Sequence, residues 1–126
     1  MPSREPGKAT FRVLDRPDLP VRRIAAGSSM VVQGAMGAEM YLLKKGRAEV
    51  RVGSQDVEEI GPGEIFGEMA LIDQSTRSAT VVALEDCEIV ALNEEKFVEL
   101  IQDAPYFALD VMRALVGRLR AMNRRL

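Results

Sequence analysis

The 126-residue chain has no histidine and no tryptophan, one cysteine (Cys87), and only 5% aromatic residues. Without histidine it lacks the usual general base near neutral pH and the commonest metal ligand. A single cysteine excludes an internal disulfide and fits a reducing compartment, so the expected location is the cytoplasm. Cys87 falls in a strand-like run and reads as a small core residue rather than a nucleophile. No apolar run exceeds a few residues, so no segment is expected to cross a bilayer, and Met1 to Thr10 does not read as a signal peptide. A net charge of −2 does not favour nucleic acid or an acidic membrane as partner. The sequence offers no nucleophile–base pair, metal cluster or catalytic motif. The expectation is a protein that is not an enzyme and carries no metal and no cofactor.

Hydrophobic residues make up 47% of the chain, enough for a core, and with so few aromatics that core must be aliphatic. The length suits one domain. Residues 1–20, with Pro2, Pro6, Pro17 and Pro20, read as a loosely ordered lead-in, with a turn of helix over 10–15. Residues 21–126 read as the domain. From 21 to 92, short β-prone runs are separated by glycines: Val21–Ala25, Met30–Gln33, Met40–Lys44, Ala48–Val52, Asp56–Ile60, Ala79–Leu84 and Glu88–Leu92. This punctuation predicts an antiparallel barrel or sandwich, and spacing alone does not choose between them.

After Asn93, a good helix cap, the pattern turns helical over 94–126. Phe97, Leu100 and Ile101 form one apolar stripe, and Pro105 suits the first turn of a second helix. There Ala108, Met112, Leu115, Leu119, Met122 and Leu126 recur at spacings of 4, 3, 4, 3 and 4. That seam predicts packing either on the chain's own β-structure or on its twin in a homodimer. Arg113, Arg118, Arg120, Arg124 and Arg125 make the helix end basic, which suits its dipole; no nucleic-acid site is expected.

Residues 61–82 carry the most chemistry. A glycine turn leads to free backbone amides and one carboxylate, Glu68; nine residues later Arg77 precedes a hydroxyl, Ser78. Amides at a helix start favour an anion, and a guanidinium forks onto phosphate oxygens. A carboxylate accepts from a ribose hydroxyl. Together they suit a small ligand bearing both phosphate and sugar.

Phe66-Gly67-Glu68-Met69-Ala70-Leu71, followed by Arg77-Ser78-Ala79-Thr80-Val81, resembles the phosphate-binding cassette of cyclic nucleotide-binding domains. That family includes the catabolite activator protein, regulatory subunits of protein kinase A and cyclic-nucleotide-gated channels. Gly34 to Gly46 resembles the family's first glycine-punctuated hairpin, and Val21 to Leu126 can be laid along it. One departure is Thr76, where many members have proline. The resemblance implies a mainly β fold, an antiparallel jelly-roll-type β-roll (double-stranded β-helix) followed by two α-helices. It implies cAMP or cGMP as ligand, with Arg77 on the cyclic phosphate and Glu68 on the ribose 2′-hydroxyl. Gly67 would let the backbone approach, and the amides of Met69 and Ala70 would face phosphate or sugar. Ser78 would donate to the phosphate or meet a guanine amine, leaving both nucleotides open, and the Ala79 N–H would reach the phosphate. Val52 and Val81 would form the wall under the base. Asn123 would act as lid, with Arg120 and Arg124 able to stack on the base. The function implied is a cytosolic sensor whose C-terminal helix moves on binding. The alternatives are the same fold docking another ligand or none, or the sensory part of a transcription regulator; the winged helix of such regulators is not in this sequence.

Overall fold

The computed structural model describes residues 12–73 and 76–124. Among the described residues, eight short strands form two four-stranded sheets. The first runs in the order β1 (Arg22–Ile24), β8 (Cys87–Asn93), β3 (Glu39–Lys45), β6 (Ile65–Phe66). The second runs β2 (Ser29–Val31), β7 (Thr80–Ala83), β4 (Ala48–Val52), β5 (Gln55–Ile60). All pairings are antiparallel. Among the described strands only β4 and β5 form a local hairpin, and every other connection between consecutive strands changes sheet. This is the jelly-roll β-roll that the family resemblance implies.

Strand β3 shows why its sequence is an unbroken apolar run. Tyr41 and Leu43 point into the roll beside Ala48, Ile60, Phe66, Val81 and Ile89. Met40 and Leu42 point the other way, onto a second cluster with Val90, Leu92, Leu100, Phe107, Val111 and Ala114. A strand buried on both faces loses the polar alternation of a half-exposed one. Helices α2 (Glu94–Asp103) and α3 (Tyr106–Arg124) close that outer face. Phe107 is fully buried and meets Phe97 edge-on, with ring centroids 5.6 Å apart.

The expected cap is present: the Asn93 side chain accepts from the Lys96 amide at 2.8 Å. Asn93→Ala should cost about 1 kcal/mol, read as a lower Tm without a change in ligand affinity. The turn of helix expected over 10–15 is present where the lead-in is described. Arg12–Asp15 form a 3-10 turn that buries Val13 completely against Phe107 and its neighbours. Residues 1–11 lie outside the described residues.

The seam expected on α3 is split by its own geometry. Phe107, Val111 and Ala114 are the buried stripe, while Met112 and Leu119 are exposed. Ala108 and Leu115 are half-buried, and the side chains of Met122 and Leu126 lie outside the described residues. The outward row is Leu109, Met112, Val116 and Leu119.

Cys87 sits in the roll, its thiol directed at the carbonyls of Glu85 (3.2 Å) and Arg47 (3.4 Å). Burial pushes its pKa up, since the thiolate is disfavoured there. Iodoacetamide should therefore fail to label Cys87 in the native protein at neutral pH and label it readily in denaturant. Because the folded pKa is raised, the thiol's contribution to stability is present below its ordinary pKa and is lost as pH rises through the shifted one. Among the described residues no helix is long and apolar enough to cross a membrane.

Candidate ligand-binding site

The segment between β6 and β7 is held by main-chain bonds to the loop before β3. The Gly34 amide donates to the Arg77 carbonyl at 2.9 Å, and the Arg77 amide donates to the Ala35 carbonyl at 2.8 Å. These bonds fix where the Arg77 side chain starts. Its guanidinium turns inward, and Arg77 as a whole is only 8% exposed. One terminal nitrogen donates to the Gly67 carbonyl at 2.9 Å, the other to the Glu39 carbonyl at 3.0 Å. The group lies 5.5 Å from the centroid of the Tyr41 ring. Carbonyls orient a guanidinium but do not neutralise it. Among the described residues no carboxylate pairs with Arg77.

Two glycines make room for this side chain. A Cβ at Gly37 would lie 2.3 Å from the Arg77 Nε and 2.4 Å from its Cζ. At Gly67 φ is +75°, and a Cβ there would lie 2.9 Å from the same guanidinium and 3.1 Å from Tyr41. Gly67 thus serves a left-handed turn and the seating of Arg77, a tighter requirement than backbone approach to a ligand alone.

Glu68 opens the short helix α1 (Glu68–Asp73) and is 7% exposed. Its carboxylate is met by Arg118 of α3, with nitrogen and oxygen 2.7 Å apart. Arg118 also donates to the Ile65 carbonyl, so one guanidinium ties α3 to the cassette. The sequence reading placed Arg118 only in a basic helix end. Its signal is positional: Phe107, Val111, Ala114 and Arg118 follow one another at spacings of 4, 3 and 4, which puts an arginine in line with the buried stripe.

These groups surround a cavity of about 300 Å³, at the low end of the ~300–1,000 Å³ range of ligand pockets. Gly67, Glu68, Met69, Ala70, Thr76, Arg77, Ser78 and Ala79 form its polar part. Val31, Val50, Ile60, Phe66 and Val81 form its apolar part, and Glu58 and Arg118 complete the lining. Eight of the ten residues singled out from sequence therefore come together: Gly67, Glu68, Met69, Ala70, Arg77, Ser78, Ala79 and Val81.

Val52 and Asn123 do not line the cavity. Val52 has the strand parity of Val50 but lies at the hairpin end, paired with Gln55 and past an irregularity between Val50 and Arg51, and it is exposed. Val50 takes its place in the wall. Asn123 is exposed near the end of α3, five residues beyond Arg118, which reaches the cavity instead. Arg120 is exposed and outside the lining, and the side chain of Arg124 lies outside the described residues. Among the described residues no cluster of acids and cysteine is placed to hold a metal ion.

The chain is similar to several known proteins. It is 38% identical over 99 residues to the cyclic AMP receptor protein of Thermus thermophilus, covering 75% of this chain and 46% of that protein. It is 40% identical over 82 residues to a cAMP-dependent protein kinase regulatory subunit of Aspergillus fumigatus, covering 60% of this chain and 19% of that protein. The chain thus spans less than half the length of either relative. Among solved structures, the Thermus thermophilus catabolite activator protein superposes with a TM-score of 0.75 at 36% identity, over 85% of this chain and 53% of that one. The family model of the cyclic nucleotide-binding domain matches residues 21–104, two thirds of the chain. With that match lying over the roll, the cassette and α2, the chain belongs to the cyclic nucleotide-binding domain family.

Proposed function

We propose that the chain is a cytosolic, non-catalytic sensor that binds cAMP or cGMP in this cavity and reports the event through α3. One observation carries the reading: the buried Arg77 guanidinium has no counter-charge among the described residues. A buried charge left unpaired is costly, and a ring-closed phosphodiester supplies the single negative charge that offsets it. Ser78 and the Ala79 amide stand beside it to complete the anion's hydrogen bonds. Glu68 then accepts from the ribose 2′-hydroxyl. The apolar wall of Val31, Val50, Ile60 and Val81 takes the base. The names of the relatives, a cyclic AMP receptor and a subunit of a cAMP-dependent kinase, support this assignment.

Arg118 supplies the link to output. A carboxylate has acceptor capacity for both an arginine and a hydroxyl. A sugar placed on Glu68 therefore changes what Arg118 holds, and Arg118 is part of α3. Free and liganded states differ in how that helix is seated, and the nucleotide shifts their populations. The outward row Leu109, Met112, Val116 and Leu119, spaced 3, 4 and 3, suits a homodimer contact through α3.

Calorimetry with both nucleotides tests the binding, and amide exchange along α3 tests the report. The expected result is saturable heat together with altered protection around Arg118, the nucleotide being recovered unhydrolysed. Absence of heat from either nucleotide overturns the proposal. Arg118→Ala should weaken binding roughly tenfold, as expected for a charged hydrogen bond, and remove the ligand-dependent change in α3 exchange.

A further inference from the structure

We infer that Tyr41 is a positioning residue for Arg77: its ring holds the guanidinium where the cyclic phosphate meets it, although Tyr41 does not itself line the cavity. The inference rests on the cavity taking a cyclic nucleotide. Strand register puts Tyr41 of β3 directly opposite Phe66 of β6. Residues paired in this way share a face, and the two rings stack with centroids 5.1 Å apart and planes 25° apart. At its far end the Tyr41 hydroxyl donates to one Glu39 carboxylate oxygen at 3.3 Å, and the other oxygen of that carboxylate lies 3.5 Å from Arg22. The Glu39 carbonyl accepts from Arg77 at 3.0 Å. Glu39 thus addresses Tyr41 through its side chain and Arg77 through its main chain.

The two carbonyls that hold Arg77, those of Gly67 and Glu39, do not fix it fully. Two hydrogen bonds to one planar group set an axis, and the plane can still rock about it. A third contact fixes the tilt. The Tyr41 ring supplies one: its centroid lies 5.5 Å from the Arg77 Cζ, within the ~6 Å reach of a cation–π attraction. Both residues are more than nine-tenths buried, and desolvation strengthens that attraction. A guanidinium already aimed at the cavity does not have to be ordered when the phosphate arrives, so the ring contributes to affinity without touching the ligand.

Tyr41 is also a core residue, packed in the roll with Leu43, Ala48, Phe66 and Ile89. The two roles depend on different properties of the ring. Packing depends on its size and shape. The attraction to Arg77 depends on the negative potential of its face. Ring fluorination drains that face while scarcely changing the size, and so separates them.

The test is calorimetric titration of cAMP and cGMP into wild type, Tyr41→Phe, and a series with phenylalanines of increasing ring fluorination in place of Tyr41. Tyr41→Phe keeps the ring and loses only a long hydroxyl bond, so it should bind both nucleotides within about threefold of wild type. Against Tyr41→Phe, the fluorinated series should lose affinity stepwise, by about tenfold at its end and equally for both nucleotides. Repeated in the Arg77→Ala background, the series should be flat, because the side chain it acts through is gone. Affinity that does not fall along the series, or that falls as much without Arg77, overturns the role of Tyr41 while leaving nucleotide binding intact. A wild type that binds neither nucleotide removes the sensor reading itself, and this inference with it. The fluorinated rings keep the shape of the Tyr41→Phe reference, so melting curves across the series should stay within a few degrees of it and the affinities compare folded proteins.

Discussion

Arg77→Ala is expected to lower the affinity for both nucleotides roughly 100-fold, about 2.7 kcal/mol and within the ~2–5 kcal/mol that truncating one partner of a desolvated charge pair costs. The effect should be equal for cAMP and cGMP, because the guanidinium addresses the phosphate and not the base. At ligand concentrations near 100 times Kd, the wild type gains about 2.7 kcal/mol, a rise in Tm of roughly 10 °C. At the same concentrations the variant should rise by no more than about 2 °C. Its own ligand-free Tm should move by only a few degrees. The free protein carries an uncompensated guanidinium held by two carbonyls, so its removal relieves a desolvated charge while exposing two acceptors. Arg77→Lys separates charge from geometry: the ammonium keeps the sign and loses the fork, and should recover only part of the affinity. Binding by Arg77→Ala within threefold of wild type removes the central contact of the proposed site.

Gly37→Ala is the second large effect, and its sign follows from what the new methyl group meets. The clash is with the tip of a flexible side chain, 2.3 Å away, and not with backbone. The main chain of Arg77 stays fixed by its bond to Ala35, so the guanidinium is the part that yields. The fold should survive, with a Tm within a few degrees of wild type, helped by the smaller entropy of the unfolded alanine chain. Nucleotide affinity should fall roughly 30-fold, about 2 kcal/mol, because the displaced guanidinium no longer aims into the cavity. The double variant Gly37→Ala/Arg77→Ala should bind no worse than Arg77→Ala alone, as expected when two changes act through one contact. Additive losses show that Gly37 acts by another route.

The strands were legible because they are short and glycine-bounded, and seven of eight appeared in the sequence within a residue or two at each end, while their closure into a jelly-roll came from the family resemblance. The missing one, β6, has only Ile65 and Phe66 between the turn at Gly63 and the turn at Gly67, too short for any period to show. Asn93 announced its helix through an ordinary capping chemistry that is local in sequence. The cassette was legible for a related reason: Gly67 through Ala70 and Arg77 through Ala79 are two short segments whose residue types and order are local in sequence, although the contacts that seat Arg77 and Glu68 are not. What was not legible depends on distant neighbours. Val52 and Val50 have the same parity, and only the irregular β4–β5 register decides which reaches the cavity. Arg118 meets Glu68 from fifty residues away, through the pitch of α3 against the roll.

The outward apolar row and Arg118 are carried by a single rigid rod, α3, which has consequences for measurement. On the proposed reading, self-association through that row and nucleotide capture through Arg118 are linked equilibria, and linkage is reciprocal. Apparent dissociation constants would then depend on how dilute the sample is, diverging between nanomolar and micromolar stocks. A titration performed at one dilution reports a composite of two reactions, and a dilution series is what separates them.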